Sequence, residues 1–146
     1  MYSRILVPLD ASDLAEQALP HAEALARCFG AELELLTVVH IPPEETLALA
    51  EPSAEFDPRL PEAQEYLEGL AARLKQDRIA VSTTVRRGDV AEEIIAFAAD
   101  AGCQLIVMCT HGRSGVSRWV YGSIADRILR YAPVPVLLVR AAGSGQ

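Results

Sequence analysis

Short apolar runs recur along this chain, with room for one helix between successive runs, and that alternation restricts the fold more than any other feature. The runs are Arg4–Leu9, Glu32–Val39, Ile79–Val85, Leu105–Met108 and Val134–Val139. Each is of strand length and rich in Val, Ile or Leu. Between them the period changes to that of a helix. Ala15, Ala18, Ala22, Leu25 or Ala26, and Phe29 form a first apolar stripe, with Ser12 or Asp13 able to cap it, Asp13 and Glu16 at capping-box spacing, and Gly30 as the stop. Pro20 inside that stripe predicts a kink. A second helix follows Ala63, Tyr66, Leu67, Leu70 and Leu74. A third opens at Gly88-Asp89 with Glu92 and runs through Ile94, Ile95 and Ala98 to Ala101-Gly102, and a fourth starts at Gly122-Ser123 with Ile124, Ile128 and Leu129. Strand, helix and strand in repeated succession predict an α/β sheet with parallel strands and right-handed crossovers. The wholly apolar fourth run predicts a strand covered on both faces, and the second run looks central rather than edge. Pro135 lacks the amide that a central strand needs, so the fifth run lies at a sheet edge or begins there.

The chain has 146 residues, enough for one domain with its own core. We read residues 1–140 as that domain, with an acidic, proline-rich loop over 40–61 that holds one helical turn at Thr46–Ala50, and 141–146 as a flexible tail. Thirteen Lys and Arg against twenty Asp and Glu give a net charge of −7, a field that disfavours nucleic acid and anionic membranes as partners. No apolar run approaches the length that spans a bilayer, and the first residues do not form a secretory h-region, so a cytoplasmic location is expected. Three cysteines, Cys28, Cys103 and Cys109, without a CxxC pair, argue against a disulfide framework or a zinc knuckle. Lys75 is the only lysine and follows no glycine-rich loop, which excludes a Walker-type phosphate loop. Schiff-base chemistry would have to use that one residue.

In an open parallel sheet, ligands gather at the carboxyl ends of strands, beside the point where strand order reverses. Two such ends stand out: Pro8-Leu9-Asp10-Ala11-Ser12 after the first strand, and the segment from Cys109 to Ser123 after the fourth. The second contains Gly112, Gly115, Gly122 and Ser123 with Arg113 and Arg118, suited to a polyphosphate. A glycine-rich turn with solvated arginines has the same composition, and spacing alone does not separate the two.

Ile5-Leu-Val-Pro-Leu-Asp10-Ala-Ser12, Gly88-Asp-Val-Ala-Glu-Glu-Ile-Ile95, Met108-Cys-Thr-His-Gly-Arg-Ser-Gly115, Gly122-Ser123 and Ala132-Pro-Val-Pro-Val-Leu-Leu-Val139, in that order, resemble the universal stress protein family, closest to its ATP-binding branch. The resemblance implies a Rossmann-like fold: a single open five-stranded parallel sheet of order 3-2-1-4-5 with helices on both faces. It also implies an adenine-nucleotide site and a homodimer joined through the last strand, here Val134, Val136 and Leu138. The family pattern is Gly, two residues, Gly, nine residues, Gly, then Ser or Thr. Gly112, Gly122 and Ser123 match it, whereas Cys109 stands where the first glycine would be. Carried over by position, Pro8, Leu9 and Asp10 border adenine and ribose, and Val38 packs on the base. Met108, Cys109, His111 and Gly112 line the ribose and phosphates, and Gly122, Ser123 and Ile124 meet the phosphates at a helix start. Arg113 is added from its charge alone. The ligand so implied is ATP, with Mg or Mn, in a nucleotide-responsive stress or signalling protein.

Rival readings use the same residues. A slow ATP hydrolase would use Asp10 or His111 to activate water, and a nucleotide-free dimeric scaffold would follow from Cys109 crowding the phosphate approach. A hydrolase triad of Asp10, His111 and a serine lacks the Gly-x-Ser-x-Gly elbow, since Gly112-Arg-Ser-Gly115 is a different pattern. Cys109 and His111 alone do not close a metal site. Trp119 and Tyr121 read as packing residues rather than base-stacking ones.

Overall fold

Five parallel strands form one sheet, and their order explains why the most apolar runs are where they are. In the computed structural model, which describes residues 1–41, 56–110 and 121–140, β1 is Arg4–Pro8, β2 Glu32–His40, β3 Val81–Gly88, β4 Leu105–Cys109 and β5 Val136–Val139. They lie in the order β3-β2-β1-β4-β5. Central β1 pairs with β2 from Arg4↔Glu32 to Pro8↔Leu36, and with β4 at Ile5↔Leu105 and Leu6↔Ile106. Ile5, Leu6 and Val7 are fully buried, as are Ile106 and Val107 of β4. Strands covered on both faces have no solvent side and therefore no polar alternation. From β1 the chain runs outward through β2 to β3, then returns to the other side of β1 as β4. The reversal of order falls between β1 and β4.

The last strand is an edge strand, as Pro135 required, pairing with β4 alone. It begins at Val136 rather than Val134: Pro135 offers only its carbonyl, which accepts the Ile106 N–H at 3.0 Å.

Described helices cover both faces. They are α1 (Asp13–Glu16), α2 (Leu19–Phe29), α3 (Arg59–Gln76), α4 (Val90–Asp100) and α5 (Tyr121–Tyr131). Gln64 of α3 donates to Thr83 Oγ1 at 3.1 Å, whereas Arg86 of β3 lies over the Phe97 ring of α4 at 5.1 Å. Successive strand residues point to opposite faces, so α3 and α4 cover opposite sides of the sheet. The α5 helix sits beside α4, with Arg127 Nη1 donating to Asp89 Oδ2 at 2.9 Å.

Three local expectations need correction. Pro20 kinks nothing: the apolar stripe is two helices broken at Gln17 and Ala18, and Pro20 occupies the first turn of α2, where a missing amide costs no helical hydrogen bond. Ser12 caps α1, its Oγ accepting the Ala15 N–H at 3.1 Å, so the capping-box position falls on Ala15, and Glu16, one residue beyond it, instead accepts the Tyr66 hydroxyl at 2.6 Å. The expected loop over 40–61 is shorter at both ends, since His40 belongs to β2 and α3 starts at Arg59. Pro61 falls in the first turn of α3, which tolerates proline for the same reason as α2. The expected turn at Thr46–Ala50 and the tail 141–146 lie outside the described residues.

Candidate functional site

The end of β1 is shaped by a short relay of hydrogen bonds. Leu9 N–H donates to the Leu36 carbonyl at 2.8 Å, continuing the ladder one residue past the strand, and Ala11 then takes a positive φ of 68°. That turn folds Asp10 inward, leaving it 3% exposed. Asp10 Oδ1 accepts the Ser12 N–H at 3.0 Å and also the Ser12 hydroxyl, whose oxygen in turn caps α1. The carboxylate is thereby fixed in place by the start of the following helix.

Beside this turn lies a cleft of about 330 Å³. Asp10 and Ala11 form one side, Thr37, Val38, Val39 and His40 of β2 the floor, and Arg59, Glu62, Ala63 and Tyr66 of α3 the opposite wall. Arg59 ties that wall to the sheet: Nη1 donates to the His40 carbonyl at 3.0 Å, and Nη2 to Asp57 Oδ2 at 2.8 Å. The same guanidinium holds the Asp57 carboxyl below the usual carboxylate range. Tyr66 bridges from the wall to α1 through Glu16; burial first, and the Glu16 carboxylate second, push its hydroxyl far above the usual phenol range. The cleft thus offers apolar walls with a few fixed polar groups, the usual composition of a small-molecule site.

The expected site residues fall into three groups. Asp10 and Val38 line the cleft together, with Pro8 and Leu9 leading into it. Leu9, Val38 and Met108 are core side chains, at most 1% exposed, so any contact they make with a ligand runs mainly through the backbone. Cys109 ends β4 with its thiol turned into the protein, Sγ donating to the Ala15 carbonyl at 3.7 Å. Burial pushes that thiol up to about 11, so it is neutral at physiological pH. Gly122 and Ser123 are exposed in the first turn of α5, with Ile124 half-buried behind them. Among the described residues, a Cβ placed on Gly122 would meet nothing within 4 Å. His111, Gly112 and Arg113 lie outside the described residues, as do Gly115, Arg118 and Trp119.

Sequence reasoning missed Thr37, Arg59, Glu62 and Tyr66. Tyr66 was legible only as part of an apolar helix stripe, and Arg59 as part of a loop. Among the described residues no group of three or more His, Cys, Asp or Glu could hold a metal ion, and no helix is long and apolar enough to cross a membrane. Val136 and Leu138 of β5 are half-buried, as is Val134 just before the strand, and exposed Leu137 sits between Val136 and Leu138.

Comparison with known proteins places this architecture. A universal stress protein from Methanocaldococcus jannaschii, MJ0531, is 35% identical over 142 residues, spanning 96% of this chain and 83% of its own. The solved structure of MJ0577, a universal stress protein of the same organism, superposes with a TM-score of 0.80 at 30% identity, covering 99% of both chains. The universal stress protein from Archaeoglobus fulgidus in complex with dAMP shares the fold, with a TM-score of 0.67 at 22% identity over 94% of this chain and 97% of that one. The universal stress protein family model matches residues 1–140, and with the 3-2-1-4-5 sheet and these relatives it establishes that the chain belongs to the universal stress protein family.

Proposed function

We propose that this protein binds an adenine nucleotide, ATP, across the ends of β1, β2 and β4. The observation that carries the reading is the cleft itself: a buried, pre-positioned carboxylate, Asp10, beside β2 backbone at the carboxyl end of β1, the strand that borders the reversal of strand order. The nucleoside would enter this cleft, with Asp10 accepting from its sugar or base and Pro8, Leu9 and Val38 bordering it. The phosphates would extend past Met108 and Cys109 to Gly122, Ser123 and Ile124, where the first-turn amides of α5 favour anions. His111, Gly112 and Arg113 would complete that end. The buried Cys109 thiol points away from this path, into the Ala15 carbonyl, which favours nucleotide binding over the scaffold reading. A Mg or Mn ion would be held chiefly by the phosphates, its charge offsetting theirs. The dAMP-bound fold relative is in keeping with the same ligand class.

Binding without turnover suffices for a nucleotide-responsive signalling protein of the cytoplasm, and both donors from Ser12 already use Asp10 Oδ1 as an acceptor rather than leaving it as a base. The β5 edge, with Val134, Val136 and Leu138, would pair with a second copy to form a homodimer.

Titration calorimetry with ATP and Mg tests the assignment. Saturable micromolar binding is expected for the unaltered protein and lost in Gly122→Val, whose Cβ meets nothing within 4 Å among the described residues and would stand in the phosphate path. ADP release at background level is expected. Turnover that disappears in Asp10→Ala would instead establish a hydrolase.

A further inference from the structure

One buried polar group in the cleft is not accounted for by the described residues. Among the described residues, Thr37 Oγ1 is a buried side-chain oxygen without a hydrogen-bond partner. Thr37 is 7% exposed and belongs to the cleft lining. The register fixes the direction in which it projects. Thr83 accepts a hydrogen bond from Gln64 of α3, and Thr83 pairs with Leu35. Paired residues share a face, and Thr37 lies two residues beyond Leu35, so its side chain projects to the α3 side of the sheet. On that side the cleft is closed by the α3 wall of Arg59, Glu62, Ala63 and Tyr66. A buried hydroxyl without a partner is destabilising, and the usual resolution is a ligand or an ordered water that completes it.

We infer that the Thr37 hydroxyl is a ligand-contacting group, a specificity determinant that forms one hydrogen bond with the nucleoside end of the bound nucleotide. This rests on the nucleotide reading above and adds to it a residue that neither the glycine pattern nor the strand-end pattern marks. The nucleoside end is the relevant one because β1 separates β2 from β4, which places Thr37 a strand away from the phosphate path toward α5. Asp10 and Thr37 then grip the nucleoside from β1 and β2, with Val39 and Ala63 beside it and the Val38 backbone along the floor. Threonine here makes the site incomplete until it is filled.

Thr37→Val and Thr37→Ser separate this role from a structural one. Valine keeps the shape and removes the hydroxyl, so ATP affinity is expected to fall roughly three- to tenfold, while the melting temperature of the ligand-free protein stays level or rises because an orphan polar group has gone. Serine keeps the hydroxyl and is expected to hold affinity within about twofold. The valine penalty is expected to be the same factor for AMP as for ATP. Unchanged ATP affinity in Thr37→Val, beside an unaltered protein that binds, would overturn the inference and leave the nucleotide reading intact. A penalty confined to ATP and absent with AMP would overturn the assignment to the nucleoside end. Failure of the unaltered protein to bind ATP would overturn the nucleotide reading itself.

Discussion

At the end of β2 remote from the cleft, a single carboxylate opposes folding. Glu34 is 5% exposed, with Arg4 Nε at 3.6 Å, while Arg4 Nη2 also reaches Glu32 at 3.8 Å. Burial raises the Glu34 carboxyl above its ordinary range, and Arg4, shared with Glu32, only partly offsets it. The native state therefore holds this proton more tightly than the unfolded chain does. At neutral pH the ionised form weighs against folding, and that penalty fades as pH falls through the raised native value. Glu34→Gln is expected to raise the melting temperature at neutral pH, with the gain shrinking in mildly acidic buffer; melts across that range check it. Asp10 differs from Glu34 in being legible from sequence, since an acid just after a buried strand and before a serine cap marks a strand-end turn. Thr37 was not legible: threonine suits any strand, and only register and the position of α3 reveal what lies above it.

Helix boundaries show which signals act locally and which depend on the rest of the protein. The start of α4 was readable because its cap is local: Asp89 accepts the Glu92 N–H at 3.0 Å. Its second role was not readable, because Arg127 comes from α5, thirty-eight positions on. Asp89 thus caps one helix and anchors another. Asp89→Ala is expected to cost about 1–2 kcal/mol, chiefly through the lost cap. Asp89→Asn, which keeps the cap and loses only the half-exposed ion pair, is expected to cost less than about 1 kcal/mol. Chemical denaturation of both variants, with Arg127→Ala for comparison, checks the partition. The prolines misled for the opposite reason. Pro20 and Pro61 read as a kink and a loop, yet each lies in a first turn, and their place depends on where the preceding segment stops. The break at Gln17 and Ala18 has no glycine or proline of its own to announce it.

For the whole molecule, strand number and type followed from alternation and composition, and the edge position of β5 followed from Pro135. The 3-2-1-4-5 order came from family resemblance, because periodicity says nothing about which strands are neighbours. Leu137 of β5 is exposed, as are Leu129 and Tyr131 of α5, at 52% and 66%. An apolar edge with unpaired strand groups invites a second copy of the chain. Leu137→Lys is expected to convert the proposed dimer to a monomer by light scattering while leaving the proposed ATP affinity unchanged, since β5 lies beyond β4 from the cleft. The pairing of Ile5 with Leu105 bears on how the protein is made. β1 acquires its second neighbour, β4, only once the chain has been made about a hundred residues further on. Until then the nascent polypeptide must carry an oily, half-covered ridge that later translation alone can close, and topology predicts that this long-distance closure, rather than any helix, sets the pace of assembly.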